Sequence, residues 1–151
     1  MQITTTRFGT IEVRDDALLS FPEGLLGFET VQQYCLLEHV PGSPFLWLQA
    51  TTNPSLAFVT VDPFEFFHEY DVAINDADAE YLRLESPEEV RVLTIVTIGE
   101  GIVTTNLVGP IVVNHKLGLA RQVVLSDYRY GTRHSLLASP EPVVRDYCEV
   151  A

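Results

Sequence analysis

Four histidines, two cysteines and 21 acidic side chains are the groups in this 151-residue chain that could carry out chemistry. The histidines are His39, His68, His115 and His134. No two stand at the close spacing with which neighbouring imidazoles share one metal ion. His68-Glu69-Tyr70-Asp71 mixes possible ligands but reads as a polar loop. Asp76, Asp78 and Glu80 alternate like part of a calcium loop. They lack the central glycine and the distal glutamate that such a loop needs. Gly99-Glu100-Gly101 lacks both the third glycine of a dinucleotide site and the Gly-Lys-Ser/Thr of a phosphate loop, so it reads as a hairpin turn. No G-x-S-x-G elbow occurs. Cys35 and Cys148 form no C-x-x-C pair. Cys35, in the run Tyr34-Cys35-Leu36-Leu37, reads as a small buried hydrophobe, and Cys148 lies among polar residues. A disulfide between them stays open. These residues show no recognisable catalytic, metal or cofactor pattern, and an enzyme whose polar site assembles only in the fold stays open at this point.

Recognition without catalysis needs aromatic anchors, exposed apolar surface or a sheet edge. Phe45, Trp47, Phe58, Phe64, Phe66 and Phe67 fall close together. Most read as core, with at least one of Phe64, Phe66 and Phe67 facing solvent. Charge is the stronger signal. Nine basic residues against 21 acidic ones leave a net charge of −12. Such a chain repels nucleic acid and anionic membrane and attracts basic partners. Neither direct nucleic-acid binding nor membrane binding is expected, whereas a protein that itself binds RNA is a natural partner. Lys116 is the sole lysine, so lysines build no basic patch. The acidity is concentrated: residues 62–89 hold ten acids and one base, Arg83. This segment reads as a solvated face, as a docking surface for a basic partner, or as a cation site.

The elements that must position these groups are mostly β. β-Branched and apolar runs predict strands at 3–6, 11–13, 33–38, 45–50, 56–61, 92–98, 102–106, 110–114 and 119–125. The run at 92–98 fits neither helical nor alternating periodicity cleanly, and its composition decides for strand. Residues 76–84 predict the one helix, with Asp76 as its N-cap. Pro22-Glu23-Gly24, Asn53-Pro54 and Ser86-Pro87 mark turns. About nine or ten short strands with one or two short helices predict a mostly β, single-domain antiparallel barrel or sandwich. A chain of this length buries enough surface to fold without disulfide or metal. The longest apolar run is only four residues, and the N-terminus lacks a basic and an apolar region, so a cytoplasmic protein is expected. Residues 139–151 read as a separate tail.

Several segments together resemble one known family. Phe21-Pro22-Glu23-Gly24-Leu25-Leu26-Gly27-Phe28-Glu29 is similar to the F-x-x-G-L-x-G-F signature of the flagellar assembly factor FliW. Phe45-Leu46-Trp47-Leu48-Gln49-Ala50, Leu56-Ala57-Phe58 and Asp62-Pro63-Phe64 resemble its F-x-W-L-Q-S, L-A-F and D-P-[FY] stretches. Asn106-Leu107-Val108-Gly109-Pro110-Ile111-Val112-Val113-Asn114 resembles its N-L-x-A-P-I-V-I-N segment. Ala120-Arg121-Gln122-Val123-Val124-Leu125 resembles A-[KR]-Q-V-I-L. Ala50 stands where serine is usual and Gly109 where alanine is usual. Each segment alone is weak, but their shared order from 21 to 125 is specific.

The resemblance implies a non-catalytic barrel-like domain over residues 1–138 with two protein partners, flagellin and the RNA-binding translational repressor CsrA. It implies a switch in which flagellin export frees the protein to bind CsrA and relieve repression, acting away from the RNA site. The expected partner surface comprises Asp62, Pro63 and Phe64, the acids Asp71, Asp76, Asp78 and Glu80, and Asn106, Leu107, Val108, Pro110 and Asn114. Asn106 and Asn114 have a structural reading as turn caps, and Pro110 as the mark of an edge strand open to a partner's strand. Two alternatives remain: a flagellin chaperone without a regulatory role, and a barrel that binds a small ligand. A small-molecule ligand is not the expectation.

Overall fold

The computed structural model describes residues 1–38 and 40–136. His39, Cys148 and the expected tail at 139–151 lie outside the described residues. The chain runs β1 (Gln2–Thr5), β2 (Gly9–Glu12), β3 (Leu18–Ser20), β4 (Gln33–Leu37), β5 (Phe45–Ala50), β6 (Ala57–Val61), α1 (Asp76–Tyr81), β7 (Val90–Gly99), β8 (Ile102–Thr105), β9 (Ile111–Asn114), β10 (Leu119–Gln122) and β11 (His134–Ser135). Short 3-10 turns at Asp15–Ala17, Pro63–Glu65 and Pro87–Glu89 punctuate it.

β3 to β7 form an antiparallel meander, each strand paired to the next. The length of β7 lets one of its edges serve two neighbours. Its first half pairs with β9, Val90 opposite Asn114 and Leu93 opposite Ile111. Its second half pairs with β8 through a two-residue link, Glu100-Gly101, both at positive φ. β9 pairs with β10, and β10 meets β3 at Leu119 opposite Ser20. That contact closes a ring of seven strands, and it is parallel where every other pairing is antiparallel. β8 and β11 extend the sheet outside the ring, and β1–β2 is a separate hairpin.

Period-two alternation sorts the side chains. Leu48 and Ala50 of β5, Leu93 of β7, Ile111 and Val113 of β9 and Ala120 of β10 join Phe21, Leu25 and Tyr34 in one cluster that fills the ring. The intervening residues point outward and are covered a second time. Phe45, Trp47, Val59, Val61 and Val96 pack with Val103 of β8 and Leu136. Val92 and Val112 pack under Tyr70, Leu82, Leu107, Val123 and Leu125. Both faces of β7 and β9 are therefore buried, which is why residues 92–98 show no clean alternation. Cys35 is buried and free, and burial pushes its thiol up to about 11.

Four expectations need correction. The helix ends at Tyr81 rather than Leu84, and its cap is Asn75, whose side-chain oxygen accepts from the Asp78 N–H at 2.8 Å. Asp76 is the first helical residue instead. Pro110 marks no free edge: it is buried just ahead of β9, which is flanked by β7 and β10. The three-residue β3 and the two-residue β11 fall outside the nine runs read as strands, so the strand number rises to eleven.

Candidate functional site

Residues 62–89 cross the outside of the ring between β6 and β7, and each turn of their path is fixed by a side chain. The Asp62 carboxylate accepts from the Phe64 N–H at 2.9 Å and starts the 3-10 turn, with Pro63 at its first position. The turn tucks Phe66 and Phe67 against the Trp47 cluster and leaves Phe64 40% exposed. The Phe64 ring lies 5.7 Å from that of Tyr70. Tyr70 is buried, its hydroxyl donates to the Leu107 carbonyl at 2.6 Å, and its ring meets Tyr130 edge-on at 4.8 Å. Burial and the neighbouring Tyr130 push the Tyr70 hydroxyl far above its ordinary range, so it stays a donor. The Tyr130 hydroxyl accepts from the Asp71 N–H at 2.9 Å.

Beyond this, Tyr70, Val72 and Ile74 pack inward while Asp71, Ala73 and Asn75 face out. α1 follows. Its Asp78 is buried and ion-paired with Arg121 at 3.4 Å. Arg121 also reaches Glu23 at 3.3 Å and covers the Tyr81 ring at 4.3 Å. The far end of α1 is held by Asn114, whose amide donates to the Leu82 carbonyl at 2.9 Å. The Glu89 carboxylate accepts from the N–H groups of Glu85 and Ser86, and these bonds hold it below the usual carboxylate range.

The result is a groove of about 730 Å³. Val72, Ile74, Leu84, Val90 and Val92 line it, with Phe64 and Tyr70, and Asp62, Asp71, Glu85 and Arg91 supply its charges. Of the ten acids in the segment, only Asp78 and Glu89 form an ion pair among the described residues, Glu89 with Lys116 at 3.8 Å. The other eight form no ion pair among the described residues, although the Asp71 charge acts on Arg129. The arrangement suits recognition of a cationic, partly apolar surface. No group of three or more His, Cys, Asp or Glu that could hold a metal occurs among the described residues.

The residues singled out from the sequence divide. Asp62, Phe64 and Asp71 line the groove. Asp76 and Glu80 are exposed on α1. Pro63, Asp78, Leu107, Pro110 and Asn114 are buried, so what their side chains do here is hold the face in place. Asn106 lies elsewhere: its oxygen accepts from the N–H groups of Val108 and Gly109, and Val108 is half-buried. Sequence reasoning passed over Tyr70, Val72, Ile74, Tyr130 and Arg121. The alternation Tyr70-x-Val72-x-Ile74 was the signal available for three of them.

The FliW protein family model matches residues 2–136. A flagellar assembly factor FliW of Natranaerobius thermophilus is 39% identical over 139 residues, covering 90% of this chain and 92% of the relative. One from Moorella thermoacetica is 41% identical, with 90% and 88% covered. One from Geobacter sulfurreducens is 41% identical, with 89% and 85% covered. A crystal structure described as the flagellar assembly factor FliW superposes with a TM-score of 0.83 at 33% identity, over 90% of this chain and 96% of that one. No helix among the described residues is long and apolar enough to cross a membrane.

Proposed function

Because the chain belongs to the FliW family, we propose that it is a non-enzymatic, cytoplasmic flagellar assembly factor that binds flagellin and, once flagellin leaves, the RNA-binding repressor CsrA. The observation that carries the second half is the acidic 62–89 segment: eight of its ten acids form no ion pair among the described residues, and three of these, Asp62, Asp71 and Glu85, line the groove. RNA binding by a repressor depends steeply on how many phosphates its cations neutralise. An acidic body docked beside the RNA path lowers the local potential and expels phosphate without entering the RNA site. At physiological salt the field reaches about 8 Å, so the face must dock within roughly that distance of the RNA. Asp62, Phe64, Asp71, Asp76 and Glu80 supply this contact in the proposal. Asp78, Leu107, Pro110 and Asn114 support it from beneath. A ring filled by its own side chains favours this reading over a small-ligand barrel.

The test is RNA binding by CsrA in the presence of the protein, with and without the triple variant Asp71→Lys, Asp76→Lys, Glu80→Lys. These three side chains are exposed and unpaired among the described residues, so the fold should survive. The reversal should weaken antagonism at least tenfold. Antagonism that persists unchanged removes the electrostatic mechanism. Flagellin binding without any CsrA binding by the unaltered protein leaves a flagellin chaperone.

A further inference from the structure

Residues 127–133 lead into β11 as a strap beside Tyr70, and hydrogen bonds fasten it at three places. The Gly131 carbonyl accepts from the N–H groups of Leu107 and Val108 at 3.0 and 3.2 Å. The Tyr130 hydroxyl accepts from the Asp71 N–H at 2.9 Å, and its ring stands edge-on to Tyr70. The Gly131 N–H donates to Nε2 of His134 at 2.8 Å. This last bond is the one that a proton can undo. A backbone N–H can only donate, so Nε2 is the bare nitrogen of a neutral imidazole and Nδ1 carries the hydrogen. Protonation puts a hydrogen on Nε2 as well. Two donors then face each other where one bond stood.

His134 is half-buried, and its ring lies 6.0 Å from Phe67 and 6.5 Å from Tyr130. It lines a cavity of about 480 Å³ that is open to solvent protons. Three elements pack around it. The segment after Phe67 brings His68, Glu69 and Tyr70 to the same cavity, and the strap brings Arg129 and Tyr130. Arg133 precedes His134 and is exposed. β8 sets only Thr104 and Thr105 opposite β11. His68 and Glu69 are exposed, and the Arg129 guanidinium already pairs with Asp127 at 2.7 Å. The bond to Gly131 is therefore the direct contact that separates the two charge states of His134.

We propose that His134 is a proton-operated latch on the strap, and that through Tyr130 it sets the Asp71 wall of the groove. The latch is closed while the imidazole is neutral, because that form accepts the Gly131 N–H. It opens as pH falls through the imidazole range, which for an unperturbed side chain centres near about 6.5. Release runs along named contacts. Gly131 takes its carbonyl away from Leu107 and Val108, and the Leu107 carbonyl is the acceptor of the Tyr70 hydroxyl at 2.6 Å. Tyr130 moves with Gly131 and gives up the Asp71 N–H. Tyr70 and Asp71 both line the groove, so one end of it changes shape with the proton. The change is local: β11 keeps its ladder to β8, and the Leu136 N–H keeps its bond to the Val103 carbonyl at 3.0 Å. This inference rests on the geometry of the groove alone and holds whichever partner the groove takes.

The experiment follows amide and imidazole resonances of the isotope-labelled full chain from about pH 8 to about pH 5. It compares the unaltered protein with His134→Gln and His68→Gln. Glutamine offers the Gly131 N–H an oxygen and does not titrate, so it separates the proton from the bond. In the unaltered protein the amides of Gly131, Leu107, Val108 and Asp71 should shift with one midpoint, that of the His134 ring. Their hydrogen exchange, corrected for its intrinsic pH dependence, should quicken at least about tenfold in the protonated form while β5 stays protected. His134→Gln should abolish the transition and His68→Gln should keep it. Amides that stay still while His134 titrates overturn the latch. So does an imidazole that remains neutral across the range, or a transition that survives His134→Gln. If the glutamine variant does not fold, the match of midpoints in His68→Gln, where His68 is silent, decides by itself.

Discussion

Gly24 and Gly27 belong to the same pair of turns and carry different loads. Both lie at positive φ. A Cβ on Gly24 would stand 2.6 Å from the Glu29 Cα and the Phe28 oxygen, whereas one on Gly27 would meet nothing within 4 Å. Backbone atoms cannot swing aside as a side chain can. Gly24→Ala should therefore cost about 2–4 kcal/mol, the conformational penalty plus displacement of the strand exit. Gly27→Ala should cost only the left-handed penalty, about 1 kcal/mol. Urea unfolding of the two variants measures both. Equal losses would show that the close approach at Gly24 is relieved at no cost. A glycine pair in a turn was legible from the sequence, but which one faces a wall of backbone depends on where Glu29 returns.

At the scale of elements, α1 is six residues long and too short to be stable alone, so its place depends on what grips its ends. Asn114 grips one end: it donates to the Leu82 carbonyl and accepts from the N–H groups of Lys116 and Leu117 at 3.1 and 3.3 Å. Asn114→Ala should cost about 2–3 kcal/mol, because a buried carbonyl loses its donor. It should also speed amide hydrogen exchange at Leu82 and Arg83 more than in β5. Uniform acceleration across the barrel would mean that Asn114 supports the ring rather than the helix. The strands were largely legible, since β-branched runs reveal extended backbone whatever they pair with. The closure was not: β7 divides one edge between β9 and β8, and no local pattern encodes that division. The Pro110 expectation failed for the same reason. Proline before a strand satisfies the ladder equally at an edge or ahead of a strand flanked on both sides.

For the whole molecule, the concentration of acid in residues 62–89 needed no structure to see. Which acids remain unneutralised did, because it depends on Arg121 and Lys116 arriving from β10 and the turn after β9. Arg121 pairs with a buried carboxylate and Lys116 with one held by backbone N–H groups, so the cations from outside the segment secure the fold and leave the outer field intact. That distribution sets two responses to salt with opposite signs. In the isolated protein, eight unpaired acids repel one another, and screening them relieves the repulsion. Raising salt from 50 to 300 mM sodium chloride should therefore raise the melting temperature by a few degrees, as roughly 1 kcal/mol of relief would. In the complex with a basic partner the same screening removes attraction, so affinity should fall about tenfold or more over that range. A melting temperature that falls with salt would mean that the acids are compensated in the folded protein, and the groove could not then act as the source of the repelling field.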